Sequence, residues 1–262
     1  MLTEKSLKTA LHEEPSMAIH VYGPAMAPPV EYTRWTLDRM GVPYRFERAA
    51  AGLSAFKSWR LRVPIELPLL MIDREPHGGF RAAYEELHGR IAGMSPRPEP
   101  RLDPVRVDDL MANAFGQAVR CFYRTMLGHP ELLKPLATDQ MPFLHRFFIE
   151  RFYPVWRWMM TKGLRLDATS PGSDLASIRG VFERIASRLD RKPFLAGDAP
   201  GGEDVLFAAI ASAVVLPLGH PQALPPVETL PEPLKGHVAA FRATAAGQLA
   251  MRVYEYRTLP LA

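Results

Sequence analysis

A segment late in the chain, residues 194–210, constrains the fold most strongly. It starts with the apolar pair Phe194-Leu195, passes through a Gly-Asp turn and enters a helix whose first turn carries Glu203 and Asp204. Acidic side chains in a first turn meet unpaired backbone N–H groups and the positive end of the helix dipole. The residues that follow are almost all small or apolar. The segment therefore predicts a helix that is buried on all sides.

The composition is that of a globular protein. Of the 262 residues, 47% are hydrophobic and 23% are charged, and the net charge is +4, so the chain can bury one large core or two modest ones. Basic and acidic residues are mixed without a run of like charge, which argues against a nucleic-acid partner. The single Cys121 excludes an internal disulfide and a Cys-based metal cluster and favours a cytoplasmic location.

Several other site types are not expected. The eight histidines are scattered, with no spacing typical of a metal site. We find no phosphate-binding loop, dinucleotide fingerprint or nucleophile-elbow motif. No window reaches the roughly 18 uninterrupted apolar residues that a membrane span needs. We therefore expect no metal and no membrane insertion.

The first part of the chain alternates strand and helix patterns. Residues 1–17 are expected to form a flexible arm, and residues 18–94 a domain with the order β-α-β-α-β-β-α. The predicted strands are 19–22, 42–47, 67–72 and a very short one near Gly79, and the predicted helices are 28–40, 54–60 and 81–91.

A proline-rich linker separates this domain from a second one. Alternating prolines in Ser95–Pro100 favour an extended chain, so we assign residues 95–104 to the linker. Everything after it has a helical pattern, which predicts an all-helical domain over 105–262 without a strand. The predicted helices are 107–127, 143–162, 174–190, 203–216 and 234–256.

The domain order and the 194–210 segment resemble the cytosolic glutathione transferases, and the chain looks like a divergent bacterial-type member. In that family, an aromatic-Leu-Ala-Gly-Asp turn is followed by a capping Ser or Thr and, three residues later, an Asp. Asp204 matches this Asp, whereas Gly201 stands at the capping position and keeps a weaker cap. The resemblance implies an α/β thioredoxin-like N-terminal domain, an all-α C-terminal domain and a homodimer.

The resemblance also implies a thiol site at the start of the first helix. In the family, the thiol of glutathione is the nucleophile, and a Tyr, Ser or Cys hydrogen bond lowers its pKa. The corresponding position here is Ala27, which has no hydroxyl group. Tyr22 is the nearest hydroxyl and becomes the catalytic candidate, with a purely structural role as the alternative. We expect Met26, Ala27 and Pro28 to contact the thiol, with backbone N–H groups of the helix start holding the thiolate.

Leu67-Pro68 fits the family's cis-proline, where the preceding residue pairs its backbone with the thiol peptide. Val63-Pro64 is a rival placement, but the distance in sequence to the helix at Arg81 favours Pro68. The resemblance places the remaining thiol contacts at Leu67, Pro68, Gly79, Phe80 and Arg81.

Three positions depart from the family pattern for binding glutathione. Gly79 and Phe80 stand where a Glu or Gln and a Ser or Thr usually bind the γ-glutamyl carboxylate. Glu66 stands where a Lys or Gln usually helps to hold the glycine end, and it would repel a carboxylate. The expected co-substrate is therefore glutathione or another small thiol.

The segment 143–162 carries seven aromatic residues among three arginines. A membrane-surface helix is one interpretation. We favour the other, in which one face lies in the core and one lines a pocket for an apolar electrophile. The resemblance assigns this acceptor pocket to Phe115, Tyr123, Phe152 and Trp156.

Two functional hypotheses follow. The first is a transferase that joins a small thiol to an apolar electrophile. The second is a non-catalytic member of the same fold that carries ligands or binds proteins. Backbone binding at Leu67 would favour the enzyme, whereas a Phe80 side chain filling the γ-glutamyl pocket would favour the binding module.

Overall fold

A computed structural model describes residues 17–257; the arm expected over 1–17 lies, apart from Met17, outside the described residues. The chain begins with a four-stranded mixed sheet of order β2-β1-β3-β4. Strand β1 is parallel to β2 and antiparallel to β3, which is antiparallel to β4. The strands are β1 (Ile19–Gly23), β2 (Arg45–Arg48), β3 (Leu69–Ile72) and β4 (Glu75–Gly78).

Three helices accompany the sheet in the expected order. They are α1 (Pro28–Met40), α2 (Ser54–Arg60) and α3 (Phe80–Glu86), which continues through a π-helical turn (Leu87–Ile91) and a 3-10 turn (Ala92–Met94). This confirms the thioredoxin-like order β-α-β-α-β-β-α.

The close packing of α1 on β1 decides which way the strand's side chains face. A Cβ atom at Gly23, where φ is 153°, would lie 2.6 Å from Cγ2 of Val30. Glycine is therefore needed where the strand meets the helix. Because side chains alternate along a strand, Tyr22 and His20 lie on the opposite face of the sheet from α1.

Helix α1 lies between the sheet and the helical part of the chain. Ten of its thirteen residues are buried, and it ends at Gly41, whose left-handed backbone (φ 68°) directs its N–H to the carbonyl of Asp38. Both ends of the helix are thus fixed by local sequence, Pro28 and Pro29 at the start and Gly41 at the end.

The remainder of the described chain is helical, and residues 105–257 contain no strand. This confirms the all-α character of the second half. Its helices are α4 (Pro104–Leu110), which continues through a π-helical turn (Met111–Phe115), α5 (Gly116–Met126), α6 (Pro130–Thr138), α7 (Phe143–Arg151), α8 (Tyr153–Gly163), α9 (Pro171–Leu189), α10 (Gly202–Val215), α11 (Leu234–Arg242) and α12 (Ala245–Arg257).

Helix α10 is the buried helix predicted from the 194–210 segment. Twelve of its fourteen residues are buried, and it packs against α1, α5 and α12. The Asp204 carboxylate is fully buried and accepts N–H bonds from Leu195 (2.7 Å), Ala196 (3.3 Å) and Gly201 (2.9 Å). One carboxylate thus joins the preceding turn to the helix start.

Gly201 stands at the cap because there is no room for a side chain. A Cβ atom there would lie 2.7 Å from Cβ of Ala196. The family's capping Ser or Thr hydroxyl is therefore missing here, and the Asp204 carboxylate alone caps the helix start.

The helical half differs from the sequence-based prediction in three places: two predicted helices are each broken into two, and one helix was not predicted. The segment 143–162 is not one helix but breaks at Phe152, since Pro154 has no N–H for the ladder. The segment 234–256 breaks before Thr244, whose hydroxyl accepts the Gly247 N–H at 3.0 Å. Helix α6, with Pro135 inside it, was not predicted.

We expect Asp204→Ala to lower the free energy of unfolding by about 3 kcal/mol, because three backbone donors lose their acceptor. Urea unfolding measures this loss. Asp198→Ala in the exposed part of the same turn is the control, and its effect should stay within about 0.5 kcal/mol. Equal effects of the two substitutions would contradict a capping role for Asp204.

Candidate functional site

A cavity of about 650 Å³ lies between the sheet and the helical part. Tyr22 and Leu69, which are register partners on β1 and β3, form part of its wall on the sheet. Helix α2 contributes Lys57, and the connection from α6 to α7 contributes Met141. The cavity therefore lies on the face of the sheet opposite α1. Its full lining is Tyr22, Phe46, Glu47, Arg48, Ala49, Leu53, Ser54, Phe56, Lys57, Leu69, Gln140, Met141, Pro142 and His145.

Three polar contacts tie the end of β2 and the chain that follows it to the helical part. Arg48 donates to the Asp139 carboxylate at 3.0 Å. The indole N–H of Trp156 donates to the carbonyl of Ala51 at 2.8 Å.

The third contact is at the limit of a hydrogen bond, 3.5 Å from the Ala50 N–H to Nδ1 of His145. Burial lowers the pKa of His145 and so favours the neutral ring that can accept this bond.

Tyr22 lines the cavity and its hydroxyl is already engaged. It is hydrogen bonded to Glu47, its register partner on β2. Burial, assisted by this carboxylate, raises the pKa of Tyr22 to about 12, so the phenol keeps its proton and donates. The ammonium group of Lys57 lies 3.0 Å from the centre of the Tyr22 ring. The sequence indicated neither Glu47 nor Lys57 as a partner; the alternation along two adjacent strands was the one available signal for Glu47.

Glu47 collects several donors around this ring. Burial opposes its ionisation, but hydrogen bonds from Tyr22 and His20 and the charge of Lys57 outweigh burial and lower the pKa of Glu47 overall. Burial in turn lowers the pKa of Lys57. This wall of the cavity thus combines an ionised carboxylate, an ammonium group and a protonated phenol.

The start of α1 does not offer the backbone donors that we expected. Pro28 and Pro29 have no N–H group, and the Ala27 N–H donates to the carbonyl of Pro24 at 3.0 Å. The next two N–H groups, of Val30 and Glu31, donate to the carbonyl of Ala27. The expectation that N–H groups of this first turn hold a thiolate is therefore wrong.

The preceding turn offers donors instead. In the part of the chain that the structure describes, the N–H groups of Ala25 and Met26 have no partner. Cys121 does not supply a nucleophile, because it is buried in α5 and burial raises the pKa of its thiol to about 11.

The Leu67-Pro68 bond is cis and the Val63-Pro64 bond is not, which confirms the first placement and excludes the rival. The carbonyl of Pro68 accepts the Gly79 N–H at 2.9 Å. The half-buried Leu67 has no backbone hydrogen bond to any described residue. Its N–H and C=O groups are therefore available to an extended ligand.

An exposed carboxylate occupies the space beside Gly79. A Cβ atom at Gly79, where φ is 93°, would lie 2.7 Å from Oε2 of Glu66. Phe80 does not fill this space, since it is buried with its ring centre 5.7 Å from that of Tyr32. Arg81 is exposed and donates to Asp108 at 2.7 Å. A second cavity of about 460 Å³ lies here, with Glu66, Phe80 and Arg81 in its lining.

The residues assigned to the acceptor pocket are dispersed. Phe115 and Tyr123 are half-buried, Trp156 is fully buried and Phe152 is 44% exposed. None of the four lines either cavity described above. Their role as an acceptor pocket stays a prediction, and for Trp156 it would require the buried side chain to move.

Two further site types are absent from residues 17–257. Residues 17–257 contain no group of three or more His, Cys, Asp or Glu side chains placed to hold a metal ion. Over the same range, no helix has both the length and the apolar character needed to cross a membrane.

The chain matches no family model and no curated protein by sequence. Among solved structures, it is similar to a glutathione S-transferase of Ceriporiopsis subvermispora in complex with glutathione, with 17% identity, 94% of this chain and 100% of that chain covered and a TM-score of 0.50. A glutathione S-transferase from Sinorhizobium meliloti gives 17% identity, coverage of 89% and 91% and a TM-score of 0.46. A poplar glutathione transferase is 15% identical, with 92% of this chain and 93% of that chain covered and a TM-score of 0.46.

We expect Trp156→Phe to lower the free energy of unfolding by about 2–4 kcal/mol, because it shrinks a buried side chain and leaves the Ala51 carbonyl without a donor. Trp158→Phe is the matched control, since Trp158 is 62% exposed on the same helix. Denaturant unfolding of the two variants compares them. A loss that is no larger for Trp156 than for Trp158 would contradict this anchoring role.

Proposed function

Because the chain has the fold of the glutathione transferases, we propose that it binds a small thiol and joins it to an apolar electrophile. The observation that carries the proposal is the backbone of Leu67, which has no hydrogen-bond partner among the described residues and precedes Pro68. In glutathione transferases, this backbone pairs with the cysteine of the thiol peptide. An extended thiol peptide can make the same two bonds here.

The thiol would be activated by backbone donors rather than by a hydroxyl at the helix start. Ala27 has no hydroxyl, and the prolines after it have no N–H. The free N–H groups of Ala25 and Met26 lie just before α1 and would stabilise a thiolate by charge-assisted hydrogen bonds. The thiol would release its proton to solvent, and the thiolate would then attack the electrophilic carbon, whose leaving group departs with the bonding electron pair.

The nature of the thiol depends on Glu66. By the family's placement, the γ-glutamyl carboxylate of glutathione would lie at the start of α3, beside Gly79. The Glu66 carboxylate already lies there, and two like charges repel. We propose glutathione or another small thiol as co-substrate, with glutathione binding when the exposed Glu66 side chain turns away.

A non-catalytic ligand carrier or interaction module of the same fold is the second candidate. The absence of N–H groups at Pro28 and Pro29 favours it, because the activation of a thiol loses two donors there. Calorimetric titration with glutathione and other cellular thiols, followed by turnover with an apolar electrophile, separates the two. Binding without turnover would assign the carrier role, and no binding at millimolar concentration would remove glutathione.

We also propose a cytoplasmic homodimer, in keeping with the family and with the single cysteine. A stable interface of this kind typically buries about 2,000 Å² or more. Sedimentation at micromolar concentration should therefore give a species of twice the chain mass. A single species of 29.4 kDa would contradict the dimer.

We expect Glu66→Gln to raise the affinity for glutathione roughly tenfold, because it removes a negative charge from the space proposed for the γ-glutamyl carboxylate. Calorimetric titration measures the change. Glu75→Gln, an exposed carboxylate on β4, is the control and should leave the affinity unchanged. Unchanged or weaker binding by the Glu66 variant would place the ligand's carboxylate elsewhere.

The sequence-based assignment of Tyr22 predicts that Tyr22→Phe lowers turnover by roughly 10- to 100-fold. This requires the hydroxyl to turn from Glu47 to the thiolate and to contribute about 1.4–2.7 kcal/mol there. Steady-state kinetics with a chromogenic electrophile gives this ratio. Tyr44→Phe is the control, since it removes a phenolic hydroxyl from a tyrosine that does not line the cavity. Equal turnover in the two variants would assign Tyr22 a structural role.

A further inference from the structure

The helices α7 and α8 and the segment around α2 expose an unusual number of large apolar side chains. In segment 143–163, the exposed fractions are 76% for Phe143, 50% for Phe147 and 62% for Trp158. In segment 54–65, Phe56 and Trp59 are each 65% exposed. We call the exposed side chains of these two segments the aromatic face. Contiguous apolar surfaces of this kind mark interaction sites.

The core does not account for these aromatics. Of the large side chains in 143–163, the structure buries one stripe, at Ile149, Tyr153, Trp156 and Met160. These positions follow a helical repeat of three and four residues. The sides of α7 and α8 away from this stripe would be polar in an ordinary surface helix. Our sequence-based preference for a core-and-pocket helix therefore explains only the buried stripe.

The two segments lie next to each other at the cavity between the sheet and the helical part. Phe56 lines this cavity together with Pro142, the residue just before α7. A Cβ atom at Gly52, close to the start of α2, would lie 3.4 Å from Cε of Met159 on α8. The two segments that carry the aromatic face thus meet at the 650 Å³ cavity, which Phe56 of one and His145 of the other line.

Positive charge is concentrated on the same two segments. Together they contain seven Lys and Arg residues and a single acidic residue, Glu150, a net charge of +6. The whole chain has a net charge of +4, so the remainder of the chain is net negative by two charges. Within the described residues, Arg60, Arg62, Arg151 and Arg157 form no ion pair. Their charge is therefore available to a partner.

We propose that the aromatic face docks the protein on an anionic lipid surface. Aromatic rings prefer the boundary between headgroups and acyl chains, and arginines between them attract anionic headgroups. Helices α7 and α8 contain nine and eleven residues, so each is about half as long as the hydrocarbon core is thick. They would lie on the membrane and not cross it.

A second copy of the chain fits this surface less well. In a symmetric dimer the same patch meets itself, which would place its arginines without an ion pair against the same arginines of the other copy. Lipid headgroups of opposite charge carry no such penalty.

The position of the cavity gives the docking a function. An apolar electrophile dissolved in the bilayer would reach the cavity from the side that faces the lipid. This consequence rests on the proposed transferase function, whereas lipid binding itself does not.

The test is flotation of the full chain with vesicles of phosphatidylcholine alone and of phosphatidylcholine mixed with phosphatidylglycerol. We expect binding to the mixed vesicles at low salt, little binding to phosphatidylcholine, and release at high salt. The double substitution Arg151→Glu and Arg157→Glu should weaken binding by at least about tenfold. Lys192→Glu, an exposed site outside both segments, is the control and should bind like the wild type.

Trp158→Ser tests the aromatic contribution separately and should also weaken binding, while far-UV circular dichroism checks that each variant is folded. Failure of the wild-type chain to bind the mixed vesicles at low salt would overturn the proposal. So would equal binding by the double variant and the Lys192 control. Sedimentation showing that Trp158→Ser dissociates a dimer would instead assign the face to a second copy. Calorimetric binding of the thiol does not involve vesicles, so failure of this proposal is distinguishable from failure of the proposed function.

Discussion

The burial of α10 against α1 is the contact on which the rest of the structure depends. Helix α10 has almost no polar surface, and α1 covers it while also covering one face of the sheet. A single helix thus belongs to both halves of the molecule. Because α1 is fixed in this way, the turn before it and the cis-proline strand beside it have defined positions relative to the helical part.

A buried cluster of charges reinforces this arrangement from the other end of the described chain. Glu31, in the first turn of α1, is fully buried and lies 3.2 Å from Nε of Arg257 in α12. Arg257 also pairs with Asp38 at 2.5 Å and lies over the ring of Trp35. A buried pair of this kind is weak evidence for net stability, but breaking it would leave an uncompensated charge. The contacts therefore hold α12 against α1.

The sequence was most informative where a local pattern had one structural solution. The run of small and apolar residues after Asp204 predicted α10. The family resemblance implied a cis-proline, and the spacing to Arg81 chose Pro68 over Pro64 for it. Both features depend on short stretches of chain. The backbone order of the first half followed for the same reason, since hydrophobic periodicity and prolines mark its elements.

The features that the sequence did not reveal depend on contacts between distant segments. The side of the sheet that Tyr22 faces follows from α1 packing on Gly23. Whether Phe147 or Trp158 is buried depends on which other elements cover their helices. Periodicity predicted that these helices have an apolar stripe, but not how wide the buried part of that stripe is. The prediction of N–H donors at the start of α1 failed for a different reason. Two prolines in the sequence already implied that these donors are lacking.

Those two prolines have an evolutionary consequence. Pro28 and Pro29 restrict the unfolded chain and so stabilise the folded start of α1, by about 0.4–1 kcal/mol for a typical proline in a compatible position. Replacement of Pro28 by a non-proline residue restores an amide hydrogen at the helix terminus at the expense of that rigidity. A single codon change at Pro28 would therefore lower the rigidity of the helix start and add one backbone N–H that can bind an anion. Selection can alter anion binding at this site in one step, without altering the fold.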